Sequence, residues 1–218
     1  MGCAFCLTGT MGRTRNLSAG EIVDQVYHAR AVLAGATAAP PVLPPGPRRE
    51  PGNLVFMGMG EPLDNADALM AALHILHHPH GAAFSPRRMT VSTVGLVPGI
   101  ERLGRELGLD VNLAVSLNAT TDETRASLMP ITRAYPLDKL FATLRAYPLP
   151  PRRRVTLEYV LLADVNDTPA DARRLVRLVH GLRCKVNLIP FNPWPGAPFA
   201  RPTARLLYTS DAADDRPF

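Results

Sequence analysis

Short apolar runs alternate along the chain with longer segments in which apolar residues recur every three or four positions. Five runs rich in β-branched residues predict strands at residues 53–57, 89–93, 111–117, 154–161 and 185–190. The other segments predict helices at residues 18–33, 67–77, 99–107, 137–147 and 168–182, several of which begin after a Ser, Thr or Asp N-cap. Strands that alternate with helices in this way predict an α/β fold with a parallel sheet covered by helices.

The number of strands predicts a partial barrel. Five strands follow Cys3 and Cys6, and a sixth would naturally precede them, so we expect a partial (β/α)6 barrel missing its first strand. In such folds the loops at the carboxyl ends of the strands carry the active site. Polar residues and a glycine stand at these ends, namely Gly60, Glu61, Ser92, Ser116, Asn118 and Asn192. We expect them to converge on one concave face, with the two cysteines at its edge.

Composition fits one globular core domain with an irregular insertion. The chain has 218 residues, of which 46% are hydrophobic, enough to build a substantial core. Residues 36–52 hold six of the 22 prolines, so we expect a poorly ordered surface insertion within a core domain of residues 1–205. Three cysteines and no apolar run near the length of a membrane span favour a reducing, cytoplasmic setting without a disulfide framework or a membrane partner.

The charge balance is mildly basic. The chain has 24 Lys and Arg residues against 19 Asp and Glu residues, a formal net charge of +5. Such an excess permits a polyanionic partner such as RNA without requiring one, because basic residues more often form only a solvated surface.

Cys3 and Cys6 are candidate ligands whose partner the spacing does not identify. The pair fits half of a zinc site, a redox pair, two ligands of an iron–sulfur cluster, or two incidental thiols. A thioredoxin-type redox pair is disfavoured because the next predicted helix begins only near residue 18. Cys184 lies in the last strand segment, where a buried thiol is the simpler interpretation. The histidines at residues 74–80 suit the negative end of a helix dipole better than a metal.

A glycine-framed carboxylate follows the first predicted strand. In Gly58-Met59-Gly60-Glu61-Pro62, the glycines allow a ligand to approach the backbone closely, and Glu61 offers its charge to a ligand ammonium group. The alternative is a tight turn with Glu61 as an ordinary surface residue.

Six stretches of the chain carry a resemblance to a known family. They are GCAFCLTGTMG with RNL and AGEIVDQV soon after it, VFMGMGEPLDN, TVSTVGLVPGI, AVSLNATTDETR with MPI soon after it, VTLEYVLLADVNDT and CKVNLIPFNPWPGAPF. Together they resemble the radical S-adenosylmethionine methyltransferases of the RlmN type, which methylate C2 of adenine in 23S ribosomal RNA and transfer RNA. The resemblance implies a radical-SAM barrel, methyltransferase activity, and rRNA and tRNA substrates.

The resemblance also implies a 4Fe-4S cluster and S-adenosylmethionine as cofactors. Cys3 and Cys6 match the second and third cysteines of the family motif Cys-x-x-x-Cys-x-x-Cys, whose first cysteine would stand two positions before Met1. Three thiolates hold three irons and leave the fourth open for the amino and carboxylate groups of S-adenosylmethionine. The implied contacts to S-adenosylmethionine are Gly60, Glu61, Ser92, Ser116, Leu117, Asn118 and Asn192. The family pattern has histidine where this chain has Asn118.

The family mechanism implies residues that have no match in this chain. One S-adenosylmethionine methylates a cysteine near the C-terminus, a second is cleaved with an electron from a donor to give the activating radical, and another cysteine releases the product. Neither cysteine is matched here, and Cys184 does not fit either role by position. Residues 206–218 resemble no part of the family, so we expect a non-native tail on a fragment that is inactive although its parent enzyme is active.

Two alternatives remain open at this stage. The related Cfr type methylates adenine C8 and shares the cluster and cofactor motifs. A non-catalytic RNA-binding or metal-binding module could keep the barrel alone, but such a module has no need of polar residues at several strand ends.

Overall fold

The computed structural model describes residues 2–12, 14–34, 50–57 and 59–203. Within these residues one sheet contains β1 (Leu54–Phe56), β2 (Met89–Thr93), β3 (Asn112–Ser116), β4 (Val155–Leu161) and β5 (Cys184–Pro190). The strands stand side by side in chain order, and each pairs in parallel with the next. Parallel neighbours need a crossover that returns the chain to the starting edge, and helical segments supply it here. The predicted α/β fold is confirmed.

Six α-helices occur in the described residues. They are α1 (Ala19–Leu33), α2 (Ala66–His77), α3 (Val97–Glu106), α4 (Asp122–Leu128), α5 (Leu137–Ala146) and α6 (Pro169–Val179). Short 3₁₀ helices lie at Leu7–Thr10, Pro62–Asn65, Pro86–Arg88 and Pro130–Arg133. Every predicted strand and helix overlaps an observed one. The sequence analysis missed α4, because seven residues are too few for a helical repeat to stand out.

Side-chain caps explain where two of the predicted helices begin. Ser18 accepts a hydrogen bond from the Glu21 N–H, and the Glu21 carboxylate accepts one from the Ser18 N–H at 2.9 Å. Thr168 and Asp171 form the same reciprocal capping box at the start of α6. Each box satisfies backbone donors that the first turn of a helix leaves without partners.

The core lies between the sheet and the helices that cover one of its faces. In β4 the side chains alternate, so that Val155, Leu157, Tyr159 and Leu161 are buried while the residues between them are half-buried. This alternation is the period of two that a strand imposes on its side chains. The buried set packs with apolar residues of α2, α3 and α5 in one continuous core.

The opposite face of the sheet is concave. Val55 of β1 and Lys185 of β5 line the same cavity, whose volume is about 350 Å³. Residues from the first and last strands of a flat sheet would lie too far apart to share so small a space, since neighbouring strands are ~4.8 Å apart. The sheet therefore curves as part of a barrel, with polar side chains such as Thr90, Thr156 and Glu158 on its inner face.

Several predictions concern parts of the chain beyond this description. Most of the proline-rich segment at 36–52 and all of the tail at 206–218 lie outside the described residues. Among the helices that are described, none has the length and apolar character needed to cross a membrane.

Replacing Gly99 with alanine is expected to lower the free energy of unfolding by about 1–3 kcal/mol. A Cβ at Gly99 of α3 would lie 2.6 Å from the Leu63 Cβ, so the 3₁₀ helix after β1 would have to move. Gly20 of α1 is the matched control, because its added Cβ would meet nothing closer than the Ser18 Oγ at 4.0 Å. Urea denaturation should show that G20A is neutral or stabilising. Equal destabilisation by the two changes would contradict this packing.

Candidate functional site

The carboxyl ends of the five parallel strands lie along one edge of the sheet, which we call the mouth. Glu61 follows β1, Ser92 lies within β2, Ser116 ends β3, and Asn192 follows β5. Gly60 adopts a φ of +135°, a conformation that favours glycine and brings the chain sharply into the turn at Glu61. The parallel topology thus puts residues from four strands at the same edge.

Glu61 connects the first two strands at the mouth. Its Oε2 accepts a hydrogen bond from the Val94 N–H at 2.8 Å, and its Oε1 accepts one from the Leu63 N–H at 3.1 Å. The Thr93 side chain also hydrogen-bonds the carboxylate. Glu61 is only 8% exposed, so the interpretation as an ordinary surface residue is wrong.

The charge of Glu61 is surrounded by hydrogen-bond donors. Burial raises the pKa of Glu61 above its ordinary value of 4.5, and the hydrogen bonds from Val94, Thr93 and Leu63 offset part of that rise. None of the ion pairs among the described residues includes Glu61. A buried carboxylate in this state is suited to bind the ammonium group of a ligand, because pairing would compensate the cost of its burial.

The chain turns sharply after β3, at Ser116-Leu117-Asn118. Asn118 has a φ of +56°, a left-handed conformation that asparagine tolerates better than most residues. Its Oδ1 accepts a hydrogen bond from the Val160 N–H at 2.8 Å, and its Nδ2 lies 3.2 Å from the Met129 Sδ. The Asn118 side chain therefore holds the turn against β4.

A second buried amide, that of Asn166, strengthens the same turn. Its Nδ2 donates to the carbonyl oxygens of Asn118 and Val160, both at 2.7 Å, and its Oδ1 accepts from the Leu162 N–H at 2.7 Å. Asn166 is 1% exposed. The sequence analysis did not single it out, because the segment after β4 carries only the composition of a loop.

Among the described residues, Arg125 is the largest fully buried side chain, and it lies directly behind the mouth. Its Nε donates to the Leu117 carbonyl at 3.0 Å, and its Nη2 donates to the carbonyls of Ser116 at 3.0 Å and Val94 at 2.7 Å. Its Nη1 donates to the Thr132 Oγ1 at 2.9 Å. One guanidinium thus fixes the backbone after β2 and after β3 in a single arrangement.

The charge of Arg125 has no direct counter-ion in the described part of the chain. Burial lowers the pKa of Arg125 to about 10, so the group stays protonated at neutral pH. The acidic groups near enough to act on it are Cys3 and Asp122. A buried cation without a carboxylate partner is costly, and an anionic group beside Cys3 would reduce that cost.

The cysteine loop is held against the mouth by backbone and side-chain contacts. The Ala4 N–H donates to the Leu128 carbonyl at 2.9 Å, and the Trp194 Nε1 donates to the Phe5 carbonyl at 3.3 Å. Within the loop, the Cys6 N–H donates to the Cys3 carbonyl at 3.1 Å. These contacts hold both cysteines beside the ends of the strands, and both are half-buried.

Cys3 and Cys6 share one half-buried loop, so they could serve together as metal ligands. Burial raises the pKa of Cys3, and the neighbouring Cys6 raises it further, so a thiolate there needs a cation for compensation. Gly9 lies against the loop so closely that an added Cβ would come within 3.2 Å of the Cys3 carbonyl. Cys184 opens β5 at the opposite end of the sheet, paired with Val155, and cannot join them. Among the described residues, no group of three or more His, Cys, Asp or Glu side chains could hold a metal by itself.

The sequence model of one protein family matches the part of the chain that contains most residues of the mouth. The model described as the Radical SAM superfamily matches residues 1–176, which include the cysteine loop, Glu61 and the turn after β3. The chain belongs to the radical SAM superfamily.

Curated relatives of this radical SAM domain carry a more specific name. A protein of Syntrophobacter fumaroxidans named dual-specificity RNA methyltransferase RlmN is 54% identical over 207 residues, 95% of this chain and 56% of that protein. One of the same name from Syntrophotalea carbinolica is 51% identical, over 95% of this chain and 51% of that protein. The chain spans about half the length of these curated relatives.

A solved structure shares the fold. The crystal structure of a radical SAM methyltransferase from Sphaerobacter thermophilus superposes with a TM-score of 0.84 at 48% identity, covering 97% of this chain and 58% of that one. The partial barrel predicted from the strand count is therefore the core of a radical SAM fold.

The radical SAM domain has a 4Fe-4S cluster and S-adenosylmethionine as its cofactors, and the site fits both. Cys3 and Cys6 would hold two irons in a loop that glycine keeps open, and the buried cation of Arg125 suits the negative charge of a thiolate-bound cluster. The buried carboxylate of Glu61 could accept hydrogen bonds from the ammonium group of S-adenosylmethionine. Cys3, Cys6 and Glu61 were candidates from the sequence, whereas Arg125 was not, since its only signal is a basic residue on the buried side of α4.

Proposed function

We propose that this chain is the core of an enzyme that uses radical SAM chemistry to transfer a methyl group to C2 of adenine in 23S rRNA and tRNA. The names of its relatives, which cover about half of each, give the reaction class. The enzyme would work in the cytoplasm and receive electrons from a separate donor.

The observation that carries the proposal is the buried carboxylate of Glu61, which pairs with no cation among the described residues and lies at the same ends of the strands as the cysteine loop. A zinc-binding or RNA-binding module could use Glu61 only to hold the turn after β1, a role that does not require burying a charge without a cation. An enzyme that binds the ammonium end of S-adenosylmethionine next to a cluster needs an anionic group in that place.

The residues of this chain would act mainly by positioning. The cofactor pair supplies the reductive cleavage of S-adenosylmethionine that starts the reaction. Glu61 would orient the ammonium group, and Arg125 would keep the strand ends fixed around it. The inner face of the sheet, with Thr156 and Glu158, lines the space beside them.

A hybrid protein tests the proposed reaction. Residues 2–203 of this chain would replace the matching segment of the Syntrophobacter fumaroxidans relative, in a bacterial strain that lacks its own enzyme. Mass spectrometry of 23S rRNA and tRNA should then detect 2-methyladenosine. Detection of 8-methyladenosine alone would assign the chain to the Cfr type, and absence of methylated adenine with a fully loaded cluster would refute the proposal.

Two opposite pH trends should follow from the raised pKa of Glu61. The pKa of Glu61 in the folded chain lies above its value in the unfolded chain. This carboxyl group therefore stabilises the cofactor-free chain most below pH 4.5, and its contribution is lost as pH rises through the folded pKa. Binding of S-adenosylmethionine needs the ionised carboxylate, so its affinity should rise over the same interval. Denaturation and equilibrium dialysis across that interval measure both trends. E61Q should remove both, and parallel trends in the unchanged chain would contradict the assignment.

A further inference from the structure

Six arginines gather at the amino ends of the strands, on the side of the sheet opposite the mouth. Arg87 and Arg88 immediately precede β2, and Arg183 immediately precedes β5. The run 152–154 immediately precedes β4. We call these six residues the arginine patch: Arg87, Arg88, Arg152, Arg153, Arg154 and Arg183. The cofactor site uses none of them.

Hydrogen bonds to backbone carbonyls hold part of the arginine patch in place. Arg183 donates to the carbonyls of Leu149 at 2.9 Å and Pro150 at 3.2 Å. Arg153 donates to the Asp110 carbonyl at 3.0 Å. These contacts use neutral acceptors, so the positive charges of the two guanidinium groups are not cancelled.

One asparagine joins the arginines of β2 to those of β4. Asn112 accepts a hydrogen bond from Arg153 through its Oδ1 and donates to the Arg87 carbonyl at 2.9 Å through its Nδ2. The two arginine groups therefore belong to one continuous surface. The strands from β2 to β5 span ~14 Å at the usual spacing, about the length of several successive phosphates of a nucleic acid strand.

The surface is open to solvent. Five of the six arginines are exposed, and Arg153 is half-buried. In the described part of the chain none of the six forms an ion pair with a carboxylate. Residues 152–154 and Arg183 surround a hollow of about 580 Å³, together with Leu182 and Cys184.

The backbone at Arg152 is itself unusual. Arg152 adopts a φ of +65°, a left-handed conformation that costs a residue with a side chain ~1–2 kcal/mol and that glycine would adopt freely. The turn that follows Pro150 and Pro151 thus contains an arginine where glycine would relieve strain. A solvated surface charge gives no reason for this, whereas an arginine that must point into the hollow does.

We propose that the arginine patch is a second RNA-binding surface, which holds the phosphate backbone of the substrate while the target adenine lies at the mouth. The identity of the anion as RNA rests on the proposed function. Unpaired guanidinium groups around a hollow match phosphate oxygens, which they bind through charge-assisted and bidentate hydrogen bonds. A strand of the length of β4 separates the two surfaces by ~23 Å, so only an RNA that folds around the edge of the domain reaches both.

The test compares two triple variants of the chain of residues 1–218. R88Q/R152Q/R154Q removes three exposed charges of the arginine patch, and R133Q/R173Q/R177Q removes three exposed charges elsewhere. Binding of a fluorescein-labelled RNA hairpin with a long stem and an adenine-containing loop is measured at several salt concentrations. Thermal melting verifies that both variants remain folded.

We expect the arginine-patch variant to bind the hairpin at least about tenfold more weakly than the unchanged chain. The magnitude of the slope of log K against log[salt] should fall by about 2 to 3. The control variant should stay within about threefold of the unchanged chain. Equal weakening by both variants, an unchanged salt slope, or no RNA binding by the unchanged chain would overturn the proposal. The proposed function is judged separately, since 2-methyladenosine from the hybrid does not depend on this outcome.

Discussion

Replacing Arg125 with methionine is expected to lower the free energy of unfolding by about 2–4 kcal/mol, out of the ~5–15 kcal/mol of a typical domain. The carbonyls of Val94 and Ser116 would lose the guanidinium donor, whereas the Leu117 carbonyl would keep the Ala119 N–H at 2.8 Å. Each unsatisfied buried acceptor costs ~1–3 kcal/mol. Removal of a buried charge offsets part of this cost, because the guanidinium is itself expensive to bury.

Arg133 gives a matched control for this change. It is exposed, and R133M should leave the stability within about 0.5 kcal/mol of the unchanged chain. R125K should fall between the two, since an ammonium group cannot reach all four acceptors that the planar guanidinium serves. Urea denaturation of the chain measures these differences. An R125M variant as stable as R133M would show that Arg125 does not hold the strand ends.

The second large effect concerns the thiols. In the hybrid protein, C3A or C6A should reduce adenine methylation below detection, because each thiolate fixes one iron of the cluster. C184A should keep the iron content and cluster absorbance of the unchanged hybrid, since Cys184 lies at the other end of the sheet. The polypeptide of residues 1–218 alone should give no product, because it brings only Cys3 and Cys6 to the mouth.

Anaerobic reconstitution followed by mass spectrometry of the RNA measures all of these proteins in one assay. Iron content and cluster absorbance serve as the control that separates loss of the cluster from loss of chemistry. Robust turnover by residues 1–218 alone, or loss of the cluster in C184A, would contradict the assignment of the ligands.

The strands and helices followed from local patterns to within a few residues. The prediction at 89–93 coincides with β2, because apolar and β-branched residues there are continuous and the flanking residues break the pattern. Helix α4 escaped detection because its identity depends on tertiary contacts of Arg125 and Leu128, which a seven-residue window does not reveal. The curvature of the sheet also lay beyond sequence patterns, since it depends on how all five strands pair.

The candidate site was predictable in its composition but not in its internal bonding. Glu61 stood out because two glycines framed it, although only the structure shows that its oxygens connect β1 to β2. Asn118 was expected to contact S-adenosylmethionine. In the structure its side chain instead hydrogen-bonds the Val160 N–H and the Met129 Sδ. Its place in a binding site remains a prediction. Asn166 and Arg125 gave little signal because a buried polar residue is defined by partners that are distant in sequence.

Electron paramagnetic resonance of the reduced, reconstituted hybrid tests the central claim most directly. If the strand ends hold S-adenosylmethionine against a cluster on Cys3 and Cys6, adding it should change the cluster spectrum, because its amino and carboxylate groups reach the open iron. E61Q, loaded with the same amount of iron, should show no change at the same concentration, whereas E123Q, altered at a solvent-exposed residue of α4, should respond fully. A spectrum of the unchanged hybrid that does not respond, or an E61Q response equal to that of the unchanged hybrid, would contradict the account.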